Sequence, residues 1–72
     1  MRVIIVGAGE VGYHLAERLS QESQDVVVVE SDRERAERAS ELLDVMTVVG
    51  NGASIPVLEQ AGTREAQILL AV

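Results

Sequence analysis

Apolar residues gather in four short runs along this chain: Val3–Val6, Val26–Val29, Val45–Val49 (broken only by Thr47) and Ile68–Val72. Runs of that length, bounded by glycine or polar positions, mark strands buried on both faces. The first strand is predicted over Arg2–Val6. From Gly9 to about Glu22 the period lengthens to that of a helix, with Val11, Leu15, Ala16 and Leu19 facing the sheet. Asp25 opens the turn into a second strand, Val26–Glu30. Ser31-Asp32-Arg33-Glu34 has the S-x-x-E form of a capping box. It predicts a second helix through about Leu43, with Ala36, Ala39, Leu42 and Leu43 inward. Glu34, Arg35, Glu37, Arg38 and Glu41 fall on its outer, solvated face.

The third strand is expected over Val45–Val49, followed by a Gly50-Asn51-Gly52 turn of residues that tolerate positive φ. Ser54 then caps a third helix, Pro56 lies in its first turn and Gly62 ends it. Gln67–Val72 completes the series as a fourth strand. The prediction is an α/β fold, β-α-β-α-β-α-β, with a parallel sheet in the order 3-2-1-4 and right-handed crossovers. No linker, repeat or low-complexity stretch divides it.

Length and composition sharpen this picture. The chain has 72 residues, roughly half of a typical doubly wound domain. An apolar strand at the end with no terminal cap suggests a fragment, or a half-domain that pairs with another copy. With one Tyr, no Phe and no Trp, the core must be Val, Ile, Leu and Ala, as suits a covered parallel sheet. Cysteine is absent, so neither disulfides nor thiolate–metal sites are available. The net charge of −6 argues against nucleic acid, which requires clustered Lys and Arg. No apolar run approaches the ~20 residues of a membrane span. A soluble, intracellular protein is the expectation.

The candidate chemistry lies where the first strand meets the first helix. Gly7-Ala8-Gly9-Glu10-Val11-Gly12 is a G-x-G-x-x-G run in the context of a dinucleotide-binding fold, and Glu30 closes the second strand where the ribose acid belongs. This is a Rossmann-like half. Gly7 permits the sharp turn, Gly9 lets a pyrophosphate approach the backbone, and Gly12 lets the helix lie close to the sheet. Phosphate would rest on the N–H groups of Gly9, Glu10 and Val11 at the positive end of the helix dipole. Glu30 can accept from both ribose hydroxyls and would repel a 2′-phosphate, favouring NAD, ATP, ADP or AMP over NADP. Arg33 is the nearby arginine that could soften this exclusion; Asp32 reads as part of a helix cap. At the end of the third strand, Asn51, Gly52 and Ala53 could read the adenine edge. Catalytic machinery is missing: His14 has no cysteine or evident acid partner, and Tyr13 falls outside the sheet-facing stripe, exposed or touching a partner. No metal-ligand spacing occurs.

The run Met1–Gly12 resembles the start of TrkA-type potassium-uptake regulators, whose cytosolic RCK or KTN domains bind nucleotides. Leu15-Ala16-Glu17-Arg18-Leu19, Val48–Ala53, Leu58–Gly62 with Ala66, and Ile68–Val72 carry the same resemblance. It covers essentially the whole chain, although the family domain continues for about as long again. The resemblance implies that residues 1–72 are the N-terminal part of such a domain, truncated here. It implies binding of NAD(H), or of ATP, ADP or AMP, through Gly7, Ala8, Gly9, Glu10, Val11, Glu30, Ser31, Asn51, Gly52 and Ala53. Many relatives have Asp at the position of Asn51, which keeps an acceptor and loses a charge. Ligand binding would gate K+ flux without turnover. The expected partners are further copies of the chain, as a dimer or higher oligomer, and a membrane-embedded potassium transport subunit at the inner face of the cell membrane.

The residues alone support association too, since a fourth strand at the sheet edge is an apolar template for another chain. The alternative is the front half of an NAD-dependent dehydrogenase, which shares the fingerprint. Appended catalytic His, Lys or Tyr residues would mark it. A truncated half-fold without nucleotide affinity is the blandest reading.

Overall fold

The structure is a computed structural model that describes residues 2–51 and 68–71. Four parallel strands make one sheet: β1 (Arg2–Val6), β2 (Asp25–Glu30), β3 (Met46–Val49) and β4 (Ile68–Ala71), in the order β3-β2-β1-β4. Two helices, α1 (Glu10–Gln21) and α2 (Arg33–Leu42), connect the first three strands. The register pairs Val3 with Val26 and Ile68, and Val27 with Met46. At the far end of the β1–β2 pair, Arg2 Nε lies 2.8 Å from Asp25 Oδ2 across the same register. The third helix expected from Ser54, Pro56 and Gly62 lies outside the described residues, as do Gly52, Ala53, Gln67 and Val72.

Alternation along the strands divides the core into two layers. Val3, Ile5, Val26 and Val28 pack with Ala8 and Ala16 on one face, flanked by Leu15, Leu19, Leu43 and Val45. Ile4, Val27, Val29 and Val48 form the other layer. β-branched residues dominate both, which is what a doubly covered parallel sheet selects.

α1 meets the sheet through Leu15, Ala16 and Leu19 as predicted, and its first turn departs from the prediction at two positions. Gly12, Tyr13 and Ala16 are its buried residues, whereas Val11 is 65% exposed. A single rotation accounts for both departures. The small Gly12 and Ala16 let the helix axis approach the sheet, and seating them there turns Val11 out and Tyr13 in toward α2. Tyr13, expected at the surface, is only 7% exposed, and the Arg38 guanidinium lies 4.3 Å from its ring centroid. α1 and α2 are therefore neighbours. In α2, Ala36 and Ala39 are inward as expected. Leu42, the last helical residue, is 64% exposed, because the chain turns there and Leu43 takes the inward position.

The start of α2 also differs. Its N-cap is Asp32, whose carboxylate accepts the Glu34 N–H at 2.9 Å; Ser31 is not the cap. The Ser31 hydroxyl instead donates to Glu30 Oε2 at 3.4 Å. Asp caps as well as Ser does, and the interaction with Glu30 decides which of them is used. Asp32→Ala should lower stability by about 1 kcal/mol, measured as a drop in the urea midpoint.

Candidate functional site

Three strand ends are laced together at the carboxyl edge of the sheet. The Gly7 N–H donates to the Val29 carbonyl at 2.8 Å, and the Gly50 N–H donates to the Glu30 carbonyl at 2.9 Å. These bonds bring the glycine loop, the β2 end and the β3 end to one place. Gly7 adopts φ 108°, a left-handed conformation that glycine alone takes without strain. That is what turns the chain out of β1 and into the loop.

Glu30 is the centre of this edge. It is 6% exposed. Its Oε1 accepts the Ala8 N–H at 2.6 Å, and its Oε2 accepts the Asp32 N–H at 2.7 Å together with the longer Ser31 bond. Burial works against ionisation of this carboxyl. The Asp32 and Ala8 N–H groups, the Arg35 charge and the Ser31 hydroxyl outweigh it and hold the pKa below its ordinary value. One side chain thus pins the glycine loop to the start of α2. A carboxylate offers about four acceptor positions, so capacity remains for a ribose hydroxyl.

The two helices end differently at this edge. α2 is capped by its own Asp32, whereas the N-cap of α1 is Gly9, which supplies no side-chain hydrogen bond. The first-turn N–H groups of α1 therefore face outward with the positive end of the dipole behind them. A Cβ built on Gly9 would meet nothing within 4 Å; the loop is open there. A groove of about 410 Å³ runs along it, lined among others by Gly7, Gly9, Glu10, Val11, Glu30 and Ser31. Ala8 lines the adjoining hollow. Asn51 is exposed beside Gly50, while Gly52 and Ala53 are outside the described residues.

The comparisons with known proteins point one way. Residues 3–72 match the family model of the TrkA-N domain. This chain belongs to the TrkA-N domain family. It is 51% identical over 72 residues to the Trk system potassium uptake protein TrkA homolog of Archaeoglobus fulgidus, covering all of this chain and 16% of that protein. The Trk system potassium uptake protein TrkA of Azorhizobium caulinodans is 46% identical over the same span, again with 16% of its length covered. The crystal structure of the TrkA-N domain of inner membrane protein ybaL from Escherichia coli superposes with a TM-score of 0.89 at 31% identity. That match covers 97% of this chain and 51% of the other. The chain thus spans about a sixth of the length of its curated relatives.

Within this TrkA-N domain, two residues of the edge escaped the sequence reading. Arg35 lines the glycine-loop groove, and Arg35 and Arg38 both line the adjoining hollow. The sequence places both on a solvated face, and both are exposed, but it singles out Arg33 near the ligand, and Arg33 lines neither space. The signal was available, since positions 35 and 38 each precede a buried alanine and so flank the face turned toward α1. His14 does have an acidic neighbour, Glu17 Oε1 at 3.7 Å. Both are exposed, one helical turn apart, a surface pair of little energetic weight. Among the described residues no cluster of His, Cys, Asp or Glu could hold a metal, and no helix is long and apolar enough to cross a membrane.

Proposed function

We propose that this TrkA-N domain binds an adenine nucleotide, NAD(H) foremost, with ATP, ADP and AMP sharing the same adenosine and phosphate chemistry. The observation that carries this reading is the pairing of an uncapped α1 N-terminus with a buried carboxylate that orders the loop in front of it. The pyrophosphate lies against the N–H groups of Gly9, Glu10 and Val11. The ribose end lies toward Glu30 and Ser31, and the adenine toward Asn51, Gly52 and Ala53. The site holds its ligand without turning it over.

The relatives' names supply the setting: they are potassium uptake proteins of the Trk system. In this reading residues 1–72 are the N-terminal part of a regulator that acts at the cytoplasmic face of the membrane. It assembles as a dimer or higher oligomer and contacts a membrane-embedded potassium transport subunit. β4 lies at one edge of the described sheet, and β3, with Met46 and Val49 exposed, at the other. Either is a template for a further strand. A nucleotide gates K+ flux only through different affinities for two arrangements of the assembly.

The test is a calorimetric titration of the purified protein with NADH, ATP, ADP and AMP. Saturable binding well below 1 mM is expected. Affinity no better than about 1 mM, or about −4 kcal/mol, for every one of them would end the nucleotide reading. Potassium flux in vesicles carrying the transport subunit, with and without the tightest ligand, tests the regulatory half. Equal flux in both would reject it.

A further inference from the structure

Three spaces meet at Glu10. The residue lines the glycine-loop groove, the adjoining hollow and a trough of about 490 Å³ along the outer flank of α1. We propose that Glu10 filters ligands by the charge of their phosphates, so that the domain takes the dinucleotide NADH in preference to ATP. The inference rests on the nucleotide reading above and narrows its ligand class.

Glu10 opens α1, and the N–H groups that would hold the pyrophosphate belong to Glu10 and its two chain neighbours. Its side chain is exposed. Among the described residues no ion pair or hydrogen bond engages its carboxylate. The other acids of this edge are occupied, Glu30 by the Ala8 and Asp32 N–H groups and Asp32 by the Glu34 N–H. An acid in the first turn suits the dipole of an empty helix end. Once an anion rests on that end, the same charge opposes it.

How strongly it opposes depends on the ligand. The pyrophosphate of NADH is a diester with one charge on each phosphorus. ATP ends in a monoester of nearly two charges and carries about two more negative charges in all. With the ribose at Glu30 and Ser31, the rest of the ligand leaves past Glu10 and Val11, the residues that groove and trough share. There the trough offers Leu15 and the exposed Val11. Its two basic residues already have acidic neighbours, His14 in Glu17 at 3.7 Å and Arg18 in Glu22 at 3.5 Å. Arg35, the basic residue of the groove, stands on the ribose side, close enough to Glu30 to favour its ionisation. A terminal phosphate therefore meets an unpaired carboxylate and apolar side chains. The uncharged dihydronicotinamide riboside of NADH meets the same surface without the added repulsion. In a water-like dielectric, two further charges about 6 Å from a carboxylate weaken binding about tenfold.

Calorimetric titrations with NADH, ADP and ATP test this, in EDTA so that no divalent cation neutralises the terminal phosphate. In the unaltered protein ATP should bind about tenfold or more weakly than NADH, with ADP between them. Glu10→Gln should shift the ATP-to-NADH affinity ratio about tenfold toward ATP. Glu10→Arg, which reverses the charge, should carry the ratio about a hundredfold in the same direction. ATP as tight as NADH in the unaltered protein overturns the filter, and so does a ratio that neither variant moves. A loss of fold in either variant would weaken both ligands alike and leave the other variant to decide. Failure of all three ligands to bind the unaltered protein removes the nucleotide reading, and this inference with it; NADH and ATP binding equally removes only the inference.

Discussion

Gly9→Ser should stabilise the ligand-free protein slightly and weaken nucleotide binding by about a hundredfold or more. The two effects have opposite signs because Gly9 has different roles with and without ligand. Its φ of −67° and ψ of −169° are open to any residue, and a Cβ there meets no neighbour within 4 Å. Serine is the better N-cap, worth a few tenths of a kcal/mol over glycine. Its hydroxyl would bond the first-turn N–H groups that α1 leaves outward. Those are the groups a pyrophosphate needs, and the new side chain would fill the path by which it approaches. A hundredfold loss corresponds to about 2.7 kcal/mol, the scale of losing a charge-assisted hydrogen bond or two. Urea denaturation and NADH titration on the same preparation check both halves. Unchanged NADH affinity in Gly9→Ser would place the ligand somewhere other than this loop. Gly7 offers the contrast: its left-handed backbone would charge any side chain about 1–2 kcal/mol of strain, so substitution there confuses fold with site.

Most of the architecture was legible because short valine-rich runs and intervening helical periods leave a parallel sheet little alternative. The loop was legible for the same reason, since G-x-G-x-x-G between two such strands has a mechanical purpose at each glycine. What failed was the rotation of the first turn of α1. The apolar pattern put Val11 inward with Leu15, Ala16 and Leu19. Those three pack on the core, and Val11 alone turns out, because the close seating of Gly12 expected from the fingerprint leaves its bulkier neighbour no place there. The same rotation buried Tyr13 and brought Arg38 over it, a tertiary contact no local pattern encodes. The α2 cap was half legible: Asp32 reads as part of it and is the N-cap, whereas the S-x-x-E form names Ser31. Ser31 and Asp32 are both good caps, and the choice between them depends on Glu30, whose carboxylate takes the Ser31 hydroxyl and the Asp32 N–H. The role of Glu30 as the pin of the glycine loop was invisible too, because a fingerprint says what an acid does for a ligand and not what it does for the unliganded fold.

That second role makes Glu30→Gln the most damaging conservative change in the described core. The expected cost is about 2–4 kcal/mol at neutral pH, with NADH binding lost in parallel as the loop loosens. Glutamine preserves the volume but has a single acceptor oxygen. Of the Ala8 and Asp32 N–H donors, which now meet Oε1 and Oε2, one would face an NH₂ group. A buried donor left without a partner costs about 1–3 kcal/mol, and the surviving bond loses the strengthening that a full charge gives. The pH dependence distinguishes this account from simple packing. Net of burial, which raises it, the Glu30 pKa lies below its ordinary 4.5 in the folded protein. The unfolded chain therefore takes up this proton first as the pH falls. The stability contributed by the carboxylate is complete above about pH 4.5 and is lost as the pH drops through the folded value. Urea midpoints of the two proteins should stand well apart near neutrality and converge in acid, the difference between them isolating Glu30 from the other carboxylates. A gap that stays constant between about pH 7 and about pH 3 would mean that Glu30 supports this edge by its shape and not by its charge. The ordered loop, and with it the ligand site, would then have to be held by the Gly7–Val29 and Gly50–Glu30 backbone bonds alone.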